Sequence, residues 1–180
     1  VPISRINDAV RRILKLKYKV GLFENAYAEE NATANFGKAA YQTLALDAAH
    51  EAITLVKNNN NILPLAKDKK VLIMGPTAQS IAVLNGSWSY TWQGNQEEWY
   101  PKGSKTFVEA ITDKIGAANV IVVGGKGFDN KDNYDVEKLT ANAANADVII
   151  LCLGENAYAE SPGNIRDLAL PEEQVILAKA

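Results

Sequence analysis

Residues 147–164 read Asp147-Val-Ile-Ile-Leu-Cys-Leu153-Gly154-Glu-Asn-Ala-Tyr-Ala-Glu160-Ser-Pro-Gly-Asn164. The apolar run between Asp147 and Gly154 is typical of a strand that is buried on both faces of a parallel sheet. In open α/β sheets, ligands bind at the carboxyl ends of the strands, because the loops there meet in a crevice. The loop after this strand is therefore the first candidate for a functional site.

Two further apolar runs, Val71-Leu-Ile-Met74 and Val120-Ile-Val-Val123, also predict buried parallel strands. Helical patterns lie between the strands, near Ser80 to Leu84, Phe107 to Ile115 and Val136 to Ala144. Alternating strands and helices predict a parallel sheet with helices on both faces and right-handed crossovers. We therefore expect an α/β fold, a three-layer α/β/α sandwich with a mostly parallel sheet, over residues 67–180. An amphipathic helix is expected to begin at Pro171.

The amino-terminal segment predicts a basic amphipathic helix over residues 3–20, with Gly21 as its stop. Such a helix suits a membrane surface, or a solvated face whose apolar stripe packs on another domain. Residues 25–37 read as a linker, and a second helix is expected from Lys38 to Ala52. A short hairpin should follow, with strand-like residues 53–57, a turn at 58–61 and a second extended segment at 62–65.

Composition limits the classes of function. The chain has 180 residues, of which 47% are hydrophobic and 22% charged, so it can bury a core. A net charge of -2 gives no electrostatic reason to expect nucleic acid. No apolar run approaches the roughly 20 residues of a membrane helix, so no membrane partner is expected. One histidine and one cysteine cannot build a zinc site unaided, and no metal or other cofactor is expected.

Two carboxylates stand out in the loop after the third predicted strand, Glu155 at its root and Glu160 at its tip. Both could be solvated loop charges. Tyr158 beside the acid, and the nearby glycines and proline, favour a functional loop, so the residues alone leave the two interpretations of Glu160 equal. A second loop carries Trp88 and Trp92, whose indoles suit the apolar faces of sugar rings, although one of them could instead close over the core.

These motifs match a known family in order. Gly154-Glu155, Tyr158-x-Glu160-x-x-Gly163-Asn164 and Leu170-Pro171-x-x-Gln174 resemble the acid/base loop in the second domain of glycoside hydrolase family 3, the β-glucosidase family. Three further stretches resemble the same family: Arg5-Ile6-x-x-Ala9-Val10-x-Arg12-Ile13-Leu14 with Gly21-Leu-Phe-Glu24, Ala49-x-x-Ala52-Ile-Thr-Leu-Val-Lys-Asn58 with Ile62-Leu-Pro-Leu65, and Gly86-x-Trp88-x-x-x-Trp92-Gln-Gly94.

The resemblance implies a domain organisation. Residues 1–24 would be the last helix of a (β/α)8 barrel, residues 25–66 a linker with a helix and a short hairpin, and residues 67–180 a sandwich truncated at its carboxyl end. It implies part of a retaining β-glycosidase acting on a β-linked glycoside or oligosaccharide. The nucleophile would be an aspartate of a barrel outside this chain, so this chain alone should be inactive. A periplasmic or secreted location is also implied.

The resemblance also assigns roles to residues. By motif position, Glu160 would be the general acid/base, with Glu155 as a competitor for that role. Trp92 would stack on the sugar of the leaving group, and Trp88 would either stack on sugar or pack on the core. Tyr158 would orient the loop or pack beneath it. Some members of the family take their acid/base from the barrel instead, but the Tyr-x-Glu-x-x-Gly match argues against that arrangement here.

Two alternatives come from other functional classes. One is a flavodoxin-like module that binds a phosphorylated ligand through glycines at its strand ends, such as Gly124-Gly-Lys-Gly127. Against it, the sequence lacks the full spacing of a phosphate-binding motif, and Pro76 after the first strand removes a backbone donor. The other alternative is a non-catalytic domain that only supports the barrel.

Overall fold

Three short strands form one parallel sheet in a computed structural model that describes residues 1–180. The strands are β1 (Val71–Met74), β2 (Val120–Val123) and β3 (Val148–Leu151), and their order in the sheet is β2-β1-β3. Val71 lies opposite Val120 on one side and Val148 on the other. All three predicted strands are confirmed, although β3 ends two residues before the predicted Leu153 because its partner β1 ends at Met74.

Helices cover both faces of this sheet. The six helices of the chain are α1 (Ile3–Lys19), α2 (Ala39–Ala52), α3 (Ala82–Asn85), α4 (Phe107–Ile115), α5 (Val136–Ala143) and α6 (Glu172–Lys179). On one face, Val71 and Ile73 of β1 pack with Val108 of α4. On the other face, Leu72 and Met74 pack with Leu139 of α5 and Leu177 of α6. Successive side chains of a strand point to opposite faces, so β1 supplies both layers of the core and the three-layer sandwich is confirmed.

The chain divides into two units, Val1–Asn60 and Asn61–Ala180. In the first unit, α1 ends at Lys19, and Gly21 has a positive φ of 74°, as expected of a helix stop. Asp8 pairs with Arg12 one turn later on this basic helix. The apolar stripe of α1 is exposed within this unit. None of the six helices is both long enough and apolar enough to span a bilayer.

The short hairpin predicted after α2 does not form. The structure has no strand between Ala52 and Val71, although Asn60 and Asn61 adopt positive φ values of 58° and 52°, the left-handed backbone expected of a turn. Ile53 and Val56 are largely exposed, so the first half of the predicted hairpin has no buried face, whereas Leu65 in its second half packs against the core on the α4 face. An isolated two-stranded hairpin is only marginally stable in water, and the segment therefore remains irregular.

We expect Cys152 to react slowly with iodoacetamide in the native protein. Its thiol follows β3 and packs against the core on the α4 face, and burial raises its pKa from 9.0 to about 11. A rise of that size lowers the thiolate fraction near pH 8 about 100-fold, because only the thiolate reacts. Alkylation should therefore be about 100-fold slower in buffer than in urea, and it should accelerate only as pH rises toward the raised pKa. The alkylation rate can be followed by mass spectrometry. Equal alkylation rates in buffer and in urea would contradict the burial of Cys152.

Candidate functional site

The loop after β3, residues 154–164, is here called the acid loop. It starts where β1 and β3 approach closely, because a Cβ on Gly75 would lie 2.4 Å from the carbonyl oxygen of Cys152. Only glycine permits this contact, at a φ of 114°. The acid loop therefore leaves from the carboxyl edge of the sheet, as the sequence predicted.

A glutamine of α6 holds the root of the acid loop. The fully buried side chain of Gln174 accepts a hydrogen bond from the N–H of Gly154 at 2.9 Å and donates one to its carbonyl oxygen at 2.8 Å. Both backbone groups of Gly154 are thereby satisfied by one amide. Unpaired buried polar groups are costly, so this pair of bonds fixes the start of the loop on the helix layer.

Tyr158 shapes the middle of the acid loop. It lies between Ala157 and Ala159, which are both buried, and its ring rests against Gly163, where a Cβ would be 2.6 Å from the ring carbons. Its hydroxyl donates a hydrogen bond to the carboxylate of Glu155, which raises the pKa of the phenol. Tyr158 thus packs against the loop, and the exposed carboxylate of Glu155 is held by a hydrogen bond within it.

Glu160 differs from Glu155 in both its side chain and its backbone. Its carboxylate is exposed and makes no hydrogen bond or ion pair. Its backbone has φ 56° and ψ -134°, a conformation that favours glycine. A non-glycine residue held in such a region costs on the order of 1–3 kcal/mol, and residues of this kind cluster at functional sites. The tip of the acid loop therefore presents one free carboxyl group on a constrained backbone.

Residues 86–94 form a second loop, here called the tryptophan loop. They are not helical, as predicted, because α3 ends at Asn85. A Cβ on Gly94 would lie 2.0 Å from the carbonyl oxygen of Gly86, so the two ends of the loop touch. The buried Tyr100 donates a hydrogen bond to the carbonyl oxygen of Gly94 at 2.8 Å and supports this base from below.

The two indoles stand out from the tryptophan loop. Trp88 is 70% exposed and Trp92 is 51% exposed, and their ring centroids are 6.4 Å apart at 46°. Trp88 has a positive φ of 58°, which is unusual for a bulky residue. Neither indole therefore closes over the core. Trp99, which lies outside the tryptophan loop, is 59% exposed.

Gln93 joins the two loops. Its Oε1 accepts a hydrogen bond from the N–H of Ala159 at 2.9 Å, and its Nε2 lies 3.4 Å from the carbonyl oxygen of Ala159 and donates to it. Sequence reasoning gave no role to Gln93, Gln174 or Tyr100. Both glutamines stand within the motifs that carry the family resemblance, which was the only signal available for them.

The glycine-rich turn after β2 is occupied by the protein's own groups. The N–H of Gly125 donates to the side chain of the buried Asn133, and the N–H of Gly127 donates to the carbonyl oxygen of Pro76 at 3.2 Å. A phosphate cradle needs such donors free and pointing at the ligand. This turn is therefore a packed connection, and the flavodoxin-like alternative loses its main support.

Known proteins match this chain over most of its length. A lysosomal beta glucosidase of Dictyostelium discoideum is 39% identical over 98% of the chain and 22% of the relative. A periplasmic beta-glucosidase of Salmonella typhimurium is 25% identical over 97% of the chain and 26% of the relative. The crystal structure of a beta-glucosidase from Listeria innocua, in complex with isofagomine, aligns with a TM-score of 0.78 at 28% identity, over 99% of the chain and 24% of that protein.

The chain thus spans about a quarter of the length of these relatives. The family model for the glycosyl hydrolase family 3 C-terminal domain matches residues 53–180. This range contains the whole sheet, the tryptophan loop and the acid loop. The chain belongs to glycoside hydrolase family 3, and residues 53–180 are its C-terminal domain.

Proposed function

We propose that this chain supplies the general acid/base of a retaining β-glycosidase that hydrolyses terminal β-linked glucosyl residues, and that Glu160 is that acid/base. The observation that carries the proposal is the contrast between the two loop carboxylates. Both residues are exposed, but Glu155 is bound by the hydroxyl of Tyr158, whereas Glu160 is unpaired and held in a constrained backbone. Membership of the family and the names of the relatives support the reaction class.

The chemistry requires a second carboxyl group. In retaining hydrolysis, two carboxyl groups about 5 to 5.5 Å apart flank the glycosidic bond. The nucleophile attacks the anomeric carbon while the acid/base protonates the departing oxygen. The acid/base then removes a proton from the water that releases the sugar. We infer that the nucleophile lies on a barrel domain of the full-length protein, to which the amino-terminal helix α1 belongs.

The tryptophan loop gives a place for the leaving-group sugar. Trp88 and Trp92 expose indole faces, and sugar rings carry apolar C–H faces that stack on them. We assign Trp92 to the leaving-group side, since Gln93 next to it bonds directly to the acid loop. Trp88 provides a second stacking surface. The substrate is then a β-linked glucoside or oligosaccharide, and the protein is proposed to act outside the cytosol, in the periplasm or after secretion.

One prediction concerns this chain by itself. We expect the purified 180-residue polypeptide not to hydrolyse aryl β-glucosides, because it offers one free loop carboxyl where the reaction needs two. Turnover can be measured with nitrophenyl β-glucoside against the full-length protein as a positive control. Rates from the fragment comparable with those of the full-length protein would place both carboxyl groups within residues 1–180 and contradict the proposal.

A second prediction tests the stacking role of Trp92 in the full-length protein. Trp92→Ala should weaken binding of a disaccharide, because it removes a stacking contact worth about 0.5 to 1.5 kcal/mol in addition to the hydrophobic contribution of the buried area. Binding of simple aryl glucosides should weaken less. Trp99→Ala is the matched control, because Trp99 is similarly exposed but lies outside the tryptophan loop. Equal losses on both substrates, or equal effects of the two variants, would remove Trp92 from the leaving-group site.

A third prediction separates an acid/base from a nucleophile. Glu160→Ala in the full-length protein should lower turnover of disaccharides by about 10²- to 10⁴-fold, because their leaving groups need a proton. The glycosylation rate with a dinitrophenyl glucoside should fall far less, because its leaving group needs no proton. Azide should restore turnover by attacking the glycosyl-enzyme, with the bond to the nucleophile breaking and the β-glucosyl azide forming with retained configuration.

Glu155→Ala is the control for that experiment and should show neither the substrate selectivity nor the azide effect. Azide rescue of Glu155→Ala together with an active Glu160→Ala would reverse the two roles. If neither variant responds to azide and both retain disaccharide turnover, the acid/base lies elsewhere in the protein and this domain is structural.

A further inference from the structure

The peptide units next to the proposed acid/base are held by a side chain from another loop. Gln93 bonds to both the N–H and the carbonyl oxygen of Ala159, at 2.9 Å and 3.4 Å, as a neighbouring strand would. The carbonyl oxygen of Ala159 belongs to the same peptide unit as the N–H of Glu160. One amide side chain therefore fixes the orientation of the backbone that leads into Glu160.

Gln93 is itself anchored on a supported backbone. It precedes Gly94, whose carbonyl oxygen accepts a hydrogen bond from the buried Tyr100 and which packs so closely on Gly86 that no Cβ would fit. Farther along the chain, the carboxylate of Glu97 accepts hydrogen bonds from the N–H groups of Ile81 and Ala82 at 3.0 and 3.2 Å. These contacts join the segment that follows the tryptophan loop to the segment that precedes it, so the loop is closed at its base and can act as a fixed support.

The tip of the acid loop needs such a support. Glu160 has φ 56° and ψ -134°, which an isolated glutamate would leave for a commoner region, and its side chain makes no hydrogen bond or ion pair that would oppose the change. Within the tip, the N–H of Gly163 bonds the carbonyl oxygen of Glu160 at 2.8 Å. Gln93 supplies the bonds that connect the tip to the rest of the domain.

We propose that Gln93 is a positioning residue for Glu160. By holding Ala159, it keeps the Glu160 carboxyl in register with the indole of Trp92, so that proton donation and stacking act on the same leaving-group sugar. This inference rests on the proposed function of Glu160. In this role Gln93 does not contact the substrate and only determines the position of the Glu160 carboxyl group.

The test uses Gln93→Met in the full-length protein, a change that keeps the length of the side chain and removes both hydrogen bonds. A small displacement of a catalytic group costs up to about 10²-fold in rate, so disaccharide kcat/KM should fall about 10- to 100-fold. The kcat/KM of a dinitrophenyl glucoside, which reports only the glycosylation step, should fall less than about threefold, because departure of this leaving group needs no proton. That activity also reports that the variant is folded.

The matched control is Gln79→Met. Gln79 also bonds a backbone carbonyl, that of Gly124 at 2.6 Å, but on the turn after β2 instead of the acid loop. Its loss should leave the ratio of the two activities unchanged. If Gln93→Met does not fold, Gln93→Asn, which is too short to keep both bonds, should give the same selectivity with a smaller loss.

Assays of Glu160→Ala beside these variants have three outcomes that test the positioning role of Gln93. Selective loss on disaccharides in the folded Gln93 variant, and none in Gln79→Met, supports the positioning role. If Gln93 variants lose both activities equally or lose neither, while Glu160→Ala is selective and rescued by azide, the positioning role is overturned and the acid/base assignment stands. If Glu160→Ala is itself neither selective nor rescued, both proposals fall.

Discussion

The parallel pairing of β1 with both of its neighbours is the constraint on which the rest of this domain depends. All four residues of β1 are buried, and their alternating side chains build the cores on both faces. Because the neighbours are paired in one register, their carboxyl ends reach the same edge. Gly75 allows the chain after β1 to touch Cys152 there, and the acid loop starts two residues later. Any larger residue at position 75 would separate the two strands at the root of the site.

The regular elements of the second unit could be predicted because each has a local signal. The three apolar runs correspond to strands, and Phe107 to Ile115 is a helix with the predicted bounds. The hairpin after α2 was predicted from the same kind of signal and does not form, since pairing depends on neighbours that a short segment does not reveal.

The loops were placed correctly by the sequence, but the contacts that shape them were not. The motifs pointed to Glu160 and to the indoles of Trp88 and Trp92, whereas the part of Gln93 in the site depends on Ala159 lying beside it. A bond between residues separated by 66 positions cannot be inferred from spacing. The same holds for Gln174, which is 20 residues from Gly154, and for the ring of Tyr158 against Gly163. Local pattern therefore indicates which loop is the candidate site, and tertiary contact determines its conformation.

Both glutamines hold the acid loop by backbone atoms, and this has a consequence for engineering. The conformation of the acid loop is determined largely by residues outside it, in α6 and in the tryptophan loop. Residues 154–164 grafted alone onto another α/β scaffold would arrive without their supports and relax. A successful transplant would have to carry both distant amides with it. In return, exposed positions of the loop such as Ser161 could be randomised in a library without removing either support.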